Sequence, residues 1–263
     1  MIALELHEHM RRTGTWVDWN ESCDRFITGD PQTVVTGIAV AWQSRTNAIE
    51  QALERGCNLF VTHEPTFYTH TDDDLEILRL PHAAAKRTLI ERSGVVVYRC
   101  HDVWDRMPGV GIVDSWAAHL GLRVKTASDE FHAVYESPAP TLIELARHVA
   151  AATAALGQPV VEMAGNPDTR IRRVGIGCGA ITDYRKMTAM GADAIVGTDD
   201  GMSYWSGGSW ALDRGVGLVI VNHPTAEEPG MRALADYLRG VFAGVRVEYL
   251  PQGAMYTCVG SEP

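Results

Sequence analysis

The chain has 263 residues, 46% hydrophobic and 21% charged, enough for one large domain or two intimately packed lobes with a real core. A net charge of -10 with histidine neutral argues against nucleic acid as the main partner, because phosphate binding needs a basic face. An anionic substrate neutralised locally by metal ions stays open. Cys23, Cys57, Cys100, Cys178 and Cys258 are scattered without a C-x-x-C pair, so disulfides and a thiolate zinc site are not expected and a reducing cytoplasm fits.

The N-terminal MIALELHEHM carries two acidic residues and no long apolar run, unlike a signal peptide. No stretch approaches the roughly 18–20 apolar residues of a membrane span. TVVTGIAVAW (33–42) reads as a buried strand and TNAIEQALERG (46–56) as an amphipathic helix stopped by Gly56. CNLFVTH (57–63) is a second strand, running into Glu64 and Pro65. HTDDD (70–74) reads as a solvated acidic loop. A helix near 82–92, a strand GVVVYRC (94–100) and a helix ending in WAAHLGL (116–122) follow. The alternation predicts an α/β fold with mainly parallel strands flanked by helices.

ESPAPTL (136–142) marks a boundary, which gives approximate lobes 1–135 and 136–263. An Ala-rich helix (142–156) closed by Gly157 opens the second half. That half repeats the first weakly. VVTGIAV (34–40) matches IRRVGIG (171–177), and ERGCNLFVTHE (54–64) matches AMGADAIVGTDD (189–200). LIERSGVVVYRCH (89–101) matches ALDRGVGLVIVNH (211–223). An acidic residue four positions past each terminal histidine completes the parallel: Asp105 after His101, Glu227 after His223.

In an open parallel sheet, ligands gather at the carboxyl ends of the strands. Four predicted strand ends are polar there: His63-Glu64, His101 to Asp105, Thr198-Asp199, and His223 to Glu227. Imidazoles beside carboxylates are what a divalent transition metal needs. His-x-x-x-Glu places both groups on one helical face, and Pro224 suits a helix start. His101 is either a ligand or, paired with Asp102, an orienting unit; Asp199 carries the same ambiguity. GIGCGA (175–180) lacks dinucleotide-fingerprint spacing, so its glycines read as a tight turn, with backbone approaching a substrate as the sharper alternative. SYWSGGSW (203–210) reads as lining for a pocket or an oligomer contact. No P-loop and no G-x-S-x-G elbow is present.

THEPTFY, HDVWD, GADAIVGTDD and NHPTAEEPGM, in this order and spacing, resemble the NIF-three-like proteins, often labelled GTP cyclohydrolase I type 2 homologs. The resemblance runs from CDRFITGDP (23–31) to MRALADYLRGVF (231–242). It implies two divalent metal ions, manganese, iron, magnesium or zinc, held by His63, Glu64, Asp105, His223 and Glu227. It also implies two α/β lobes with the site in the cleft between them, and a hexameric ring of identical chains. Family members usually carry two adjacent histidines where this chain has His63-Glu64, and glycine where it has Asn222. An anion in place of a neutral imidazole favours harder ions. The expected activity is hydrolysis of a small, nucleotide-like substrate, with His101 or Asp102 as proton shuttle. The alternatives are a non-enzymatic metal-binding or metallochaperone protein and a ring-forming regulatory scaffold.

Overall fold

A computed structural model describes residues 1–259. The chain divides into two compact units, neither contiguous in sequence: residues 1–107 with 231–252, and residues 108–230 with 253–263. The compositional boundary at 136–142 lies inside the second unit. The segment before it supplies two strands to that unit's sheet.

Eleven strands are present among the described residues. In the first unit they are β1 (Phe26–Thr28), β2 (Ile38–Gln43), β3 (Leu59–Glu64), β4 (Val96–Arg99) and β11 (Val247–Tyr249). They form one sheet in the order β1-β4-β3-β2-β11. The second unit contains β5 (Lys125–Ser128), β6 (His132–Glu136), β7 (Glu162–Ala164), β8 (Arg173–Gly177), β9 (Ala194–Thr198) and β10 (Gly217–Val221), ordered β5-β6-β8-β9-β10-β7. Each sheet has a parallel centre: β2, β3 and β4 in one, β8, β9 and β10 in the other. β1 lies antiparallel against β4 and β7 against β10, β11 adds a parallel edge beside β2, and in the second sheet β6 pairs antiparallel with β8 and β5 antiparallel with β6.

The expected helices form where apolar spacing and caps agree. Thr46–Glu54 buries Ala48, Ile49 and Ala52 on one face. Pro81–Ser93 starts with proline in its first turn and ends at Gly94, in the left-handed conformation. Leu142–Thr153 buries Leu142, Leu145, Ala146, Val149 and Thr153, then tightens into a 3-10 turn before Gly157. The central strands are covered on both faces. Ala194 and Val196 pack with Leu142, Leu145 and Val149, while Ile195 faces Met187 and Ala211. In the first unit Phe60 and Val97 pack against Ile49 and Ile90. These rigid centres carry the polar strand ends on which the chemistry sits.

The solvated reading of HTDDD fails at Asp72. Asp73 and Asp74 are exposed, and Asp74 caps the short helix Leu75–Leu78. Asp72 is buried, with φ of 59°. Its left-handed backbone turns the carboxylate inward to accept the Phe67 N–H, toward the cations Lys86 and Arg99. Burial raises its pKa, against those hydrogen bonds and charges.

Candidate metal centre

In the first unit, β3 ends on His63 and Glu64. β4 leads into the single-turn helix Asp102–Asp105. His63 is fully buried, and its Nδ1 lies 3.1 Å from the Cys100 carbonyl. A carbonyl can only accept, so Nδ1 carries the proton and the Nε2 lone pair points the other way. It faces Oδ1 of buried Asp105 at 3.3 Å. An imidazole lone pair and a carboxylate repel unless a proton or a metal cation lies between them, so this pairing can serve as an ion pair or as a metal half-site.

His101 stacks on His63, with ring centroids 4.4 Å apart and planes 14° apart. Its Nδ1 lies 3.0 Å from Asp102 Oδ1 and 3.3 Å from Asp105 Oδ2. Burial would lower the His101 pKa, but the Asp105 charge and the Asp102 hydrogen bond overcome it and hold the ring well above its ordinary value. Burial likewise opposes ionisation of Asp102, yet bonds from His101, the Ser22 hydroxyl (2.8 Å) and the Cys23 N–H (3.2 Å) keep it well below the usual carboxylate range. One donor atom each from His63, Glu64 and His101 falls within 4.8 Å of the others, and the same holds for Cys23, His101 and Asp102. His101 therefore belongs both to the imidazole–carboxylate cluster and to an Asp102-bound pair.

Two residues that sequence reasoning missed hold this arrangement. Asp24 is buried and caps the Asp102–Asp105 turn, accepting from the backbone N–H of His101, of Asp102 at 2.9 Å and of Val103 at 2.8 Å. Burial pushes its pKa up to about 6 despite those bonds. No local signal links it to a turn so distant in sequence. Arg99 is 1% exposed. Its Nε donates to the His63 carbonyl at 3.0 Å, Nη1 donates to the His70 carbonyl, and Nη2 lies 3.7 Å from Glu64 Oε2. A lone arginine inside the apolar run GVVVYRC was the available signal.

The second unit repeats the chemistry. His223 opens the helix His223–Val241 directly after β10. Its N–H donates to Asp199 Oδ1 at 2.9 Å, which makes Asp199, at the end of β9, a cap. Its Nδ1 lies 3.1 Å from Asp200 Oδ2, so the proton sits there. Nε2 then faces Glu227 Oε1 at 3.1 Å, one helical turn on. Asp200 is the residue that orients the ring, and Asp199 orients the backbone. The last glycine of GIGCGA has a concrete role. Gly179 (φ +47°) lies so close that a Cβ there would overlap His223 Nε2 and Glu227 Oε1. Its carbonyl accepts from the Thr198 hydroxyl at 2.8 Å, which pins the turn to β9.

Known proteins carry the same fold. A Staphylococcus aureus hypothetical protein superimposes with a TM-score of 0.81 at 19% identity, covering 98% of this chain and 99% of its own. A Bacillus cereus protein related to NIF3 gives 0.76 at 14% identity, covering 100% and 98%. A curated relative, the "GTP cyclohydrolase 1 type 2 homolog" of Clostridium perfringens, is 23% identical over 227 residues, with 81% of each chain covered. No described helix is long and apolar enough to cross a membrane. The sequence model of Duf34/NIF3 (NGG1p interacting factor 3) matches residues 17–252, and the chain belongs to that family.

Proposed function

We propose that the protein is a metal-dependent hydrolase of a small, nucleotide-like substrate, with two divalent ions held by His63, Glu64, Asp105, His223 and Glu227. The observation that carries this reading is a pairing that occurs once in each unit. An imidazole is fixed through Nδ1 to an acceptor, and its Nε2 lone pair is turned onto a buried carboxylate: His63 on Asp105, His223 on Glu227. The name of the Clostridium perfringens relative is compatible with hydrolytic chemistry on a nucleotide. When bound, such ions supply Lewis-acid activation of water and of the scissile bond.

The chain's own residues do the rest. The Cys100 carbonyl and the Asp200 carboxylate fix the tautomers of the two ligating imidazoles. His101 holds a proton at Nδ1 against Asp102, poised for transfer to a leaving group. No serine, cysteine or lysine nucleophile is required. The same reading assigns the protein to the cytoplasm and assembles it as a hexameric ring of identical chains; a measurement of its mass in solution tests the assembly.

Metal analysis of protein purified without added metal, followed by a screen of nucleotides and phosphoesters with and without chelator, tests the proposal. Stoichiometric divalent metal and chelator-sensitive turnover are expected. Background metal content, or hydrolysis indifferent to chelator, would overturn it.

A further inference from the structure

The second unit contains a concave site that the metal chemistry leaves unused. A cavity of about 580 Å³ lies along β7 and β10 and reaches Asp199 and Asn222, just past the carboxyl ends of β9 and β10. That volume lies within the range of small-molecule sites, and the position is where open α/β sheets bind ligands. Its floor is apolar, built from Val160, Met163, Leu218 and Ile220. Two aromatic residues line it while standing in solvent, Tyr204 at 89% exposure and Tyr256 at 62%. Large rings so exposed beside an apolar floor present flat faces to a flat partner.

Tyr204 opens a π-helical turn, Tyr204–Ser209, the centre of the SYWSGGSW motif. Such turns are rare and concentrate at functional sites. This one is secured: Ser203 Oγ accepts from Ser206 N at 3.2 Å, and the Tyr184 hydroxyl donates to the Ser206 carbonyl.

The polar edge of the cavity is organised by Asn222. Its N–H donates to Gln158 Oε1 at 2.9 Å, its Nδ2 donates to Asp199 Oδ2 at 2.9 Å, and its Oδ1 accepts from Tyr256 N at 3.2 Å. With Oε1 of Gln158 committed, the amide NH2 is the donor end left at the cavity. Asp199 Oδ1 accepts from Asp200 N and His223 N, and Oδ2 accepts only from Asn222 among the described residues. A carboxylate offers about four lone-pair sites, so one acceptor position remains. The cavity therefore offers a donor and an acceptor beside Asn222 and two exposed aromatic side chains in its lining.

We propose that this cavity binds a planar heteroaromatic ring of nucleobase size, stacked on Tyr204 and Tyr256, with its amide-like edge read by Gln158 and Asp199. The ligand is a free small molecule, since the net charge of -10 disfavours a nucleic-acid strand. Asp199 also caps His223, so a ring held here would place its substituent beside that residue. The inference rests on the hydrolase reading for its role in turnover, and it does not rest on that reading for binding itself.

The test is equilibrium binding of guanosine, adenosine and cytidine, with ribose as control, followed by ligand-observed NMR and calorimetry in excess chelator. At least one nucleoside binds in the millimolar range or tighter and ribose does not. Tyr204→Ala and Tyr256→Ala, both at exposed positions that leave the core intact, each weaken binding by about fivefold to a hundredfold, the measured span for loss of one stacking partner. Nucleoside binding that survives in metal-free protein separates this site from the metal reading. Absence of nucleoside binding at roughly millimolar concentration, or affinity unmoved in both tyrosine variants, would overturn the proposal.

Discussion

Gly179→Ala is the sharpest perturbation of the candidate centre, because it adds one carbon at a defined place. A Cβ on Gly179 would overlap Glu227 Oε1 and His223 Nε2 and stand 2.8 Å from Glu227 Cδ. Ordinary carbon contact begins near 3.5 Å, so the carboxyl carbon must retreat by about 0.7 Å. That exceeds the ~0.5 Å within which functional constellations are held. Displacing an oriented ligand in this way costs about 10–100-fold in metal affinity. The substitution also carries a backbone cost. Gly179 has φ of +47°, where an L side chain costs about 1–2 kcal/mol. Gly94 separates the two effects. It has φ of +69° with nothing within 4 Å of its would-be Cβ, so Gly94→Ala incurs the backbone cost alone. Manganese and zinc titration calorimetry, run beside urea unfolding of the metal-free proteins, reads both quantities. Both variants carry the backbone cost in apo stability, Gly179→Ala adds the cost of relieving the overlap, and only Gly179→Ala loses metal affinity. Equal metal affinity in the two variants would refute the assignment of His223 and Glu227 as ligands.

Arg99→Met removes a buried cation from Glu64 and two carbonyls; breaking such a pair costs about 3–5 kcal/mol, read by urea unfolding, and a loss below about 1 kcal/mol would show that Arg99 is not the anchor of this strand end. Asp24→Ala strips the cap from three backbone N–H groups and lowers stability by about 1–2 kcal/mol while weakening metal binding; full metal affinity in a folded variant would show that the Asp102–Asp105 turn needs no cap. Lys86 gives a pH signature. Burial pulls its pKa down to about 8, against the raising effect of Asp72. Above pH 8 the folded state then binds fewer protons than the unfolded state, whose lysine titrates near 10.5, so this group's contribution to stability rises with pH across that window. Relative to Lys86→Met, wild type gains about 2 kcal/mol between pH 8 and 10, and a pH-independent difference between the two would reject the buried, depressed lysine.

Most of the parallel framework was legible because β2, β3, β4, β9 and β10 are continuous apolar runs ending in polar residues, and their helices stop at Gly56, Gly94 and Gly157. The antiparallel edges were not legible. β1 and β7 have three residues each, too short for a period to register, and their pairing is fixed by contacts distant in sequence. The candidate ligands were visible because they fall at strand ends and on helical spacing. The residues that aim them were not. Asp24 reaches its turn across 77 positions, and Asp200 is distinguished from Asp199 only by which of them meets the imidazole rather than the backbone. Asp72 was misread for the same reason. Nothing in a run of three aspartates says which one adopts a left-handed backbone and turns toward Lys86 and Arg99.

Arg99 changes the argument about Glu64. Counting charges on the five expected ligands alone, a carboxylate in place of an imidazole adds one negative charge, and hard divalent ions gain from that charge. Arg99 lies 3.7 Å away, buried, and bonded through its other nitrogens to the carbonyls of His63 and His70. Glu64 and Arg99 together are neutral, as an imidazole at position 64 would be. Much of the electrostatic half of the preference is therefore cancelled. The half that survives is the donor atom. At 3.7 Å the guanidinium is an ion-pair partner of Glu64 and not a close hydrogen-bond donor to it. An oxygen donor still replaces a nitrogen donor, and oxygen suits manganese, magnesium and iron better than it suits zinc or copper. On the proposed metal reading, the metal preference would follow from the kind of atom Glu64 presents, with Arg99 allowing a carboxylate to sit there without the excess charge.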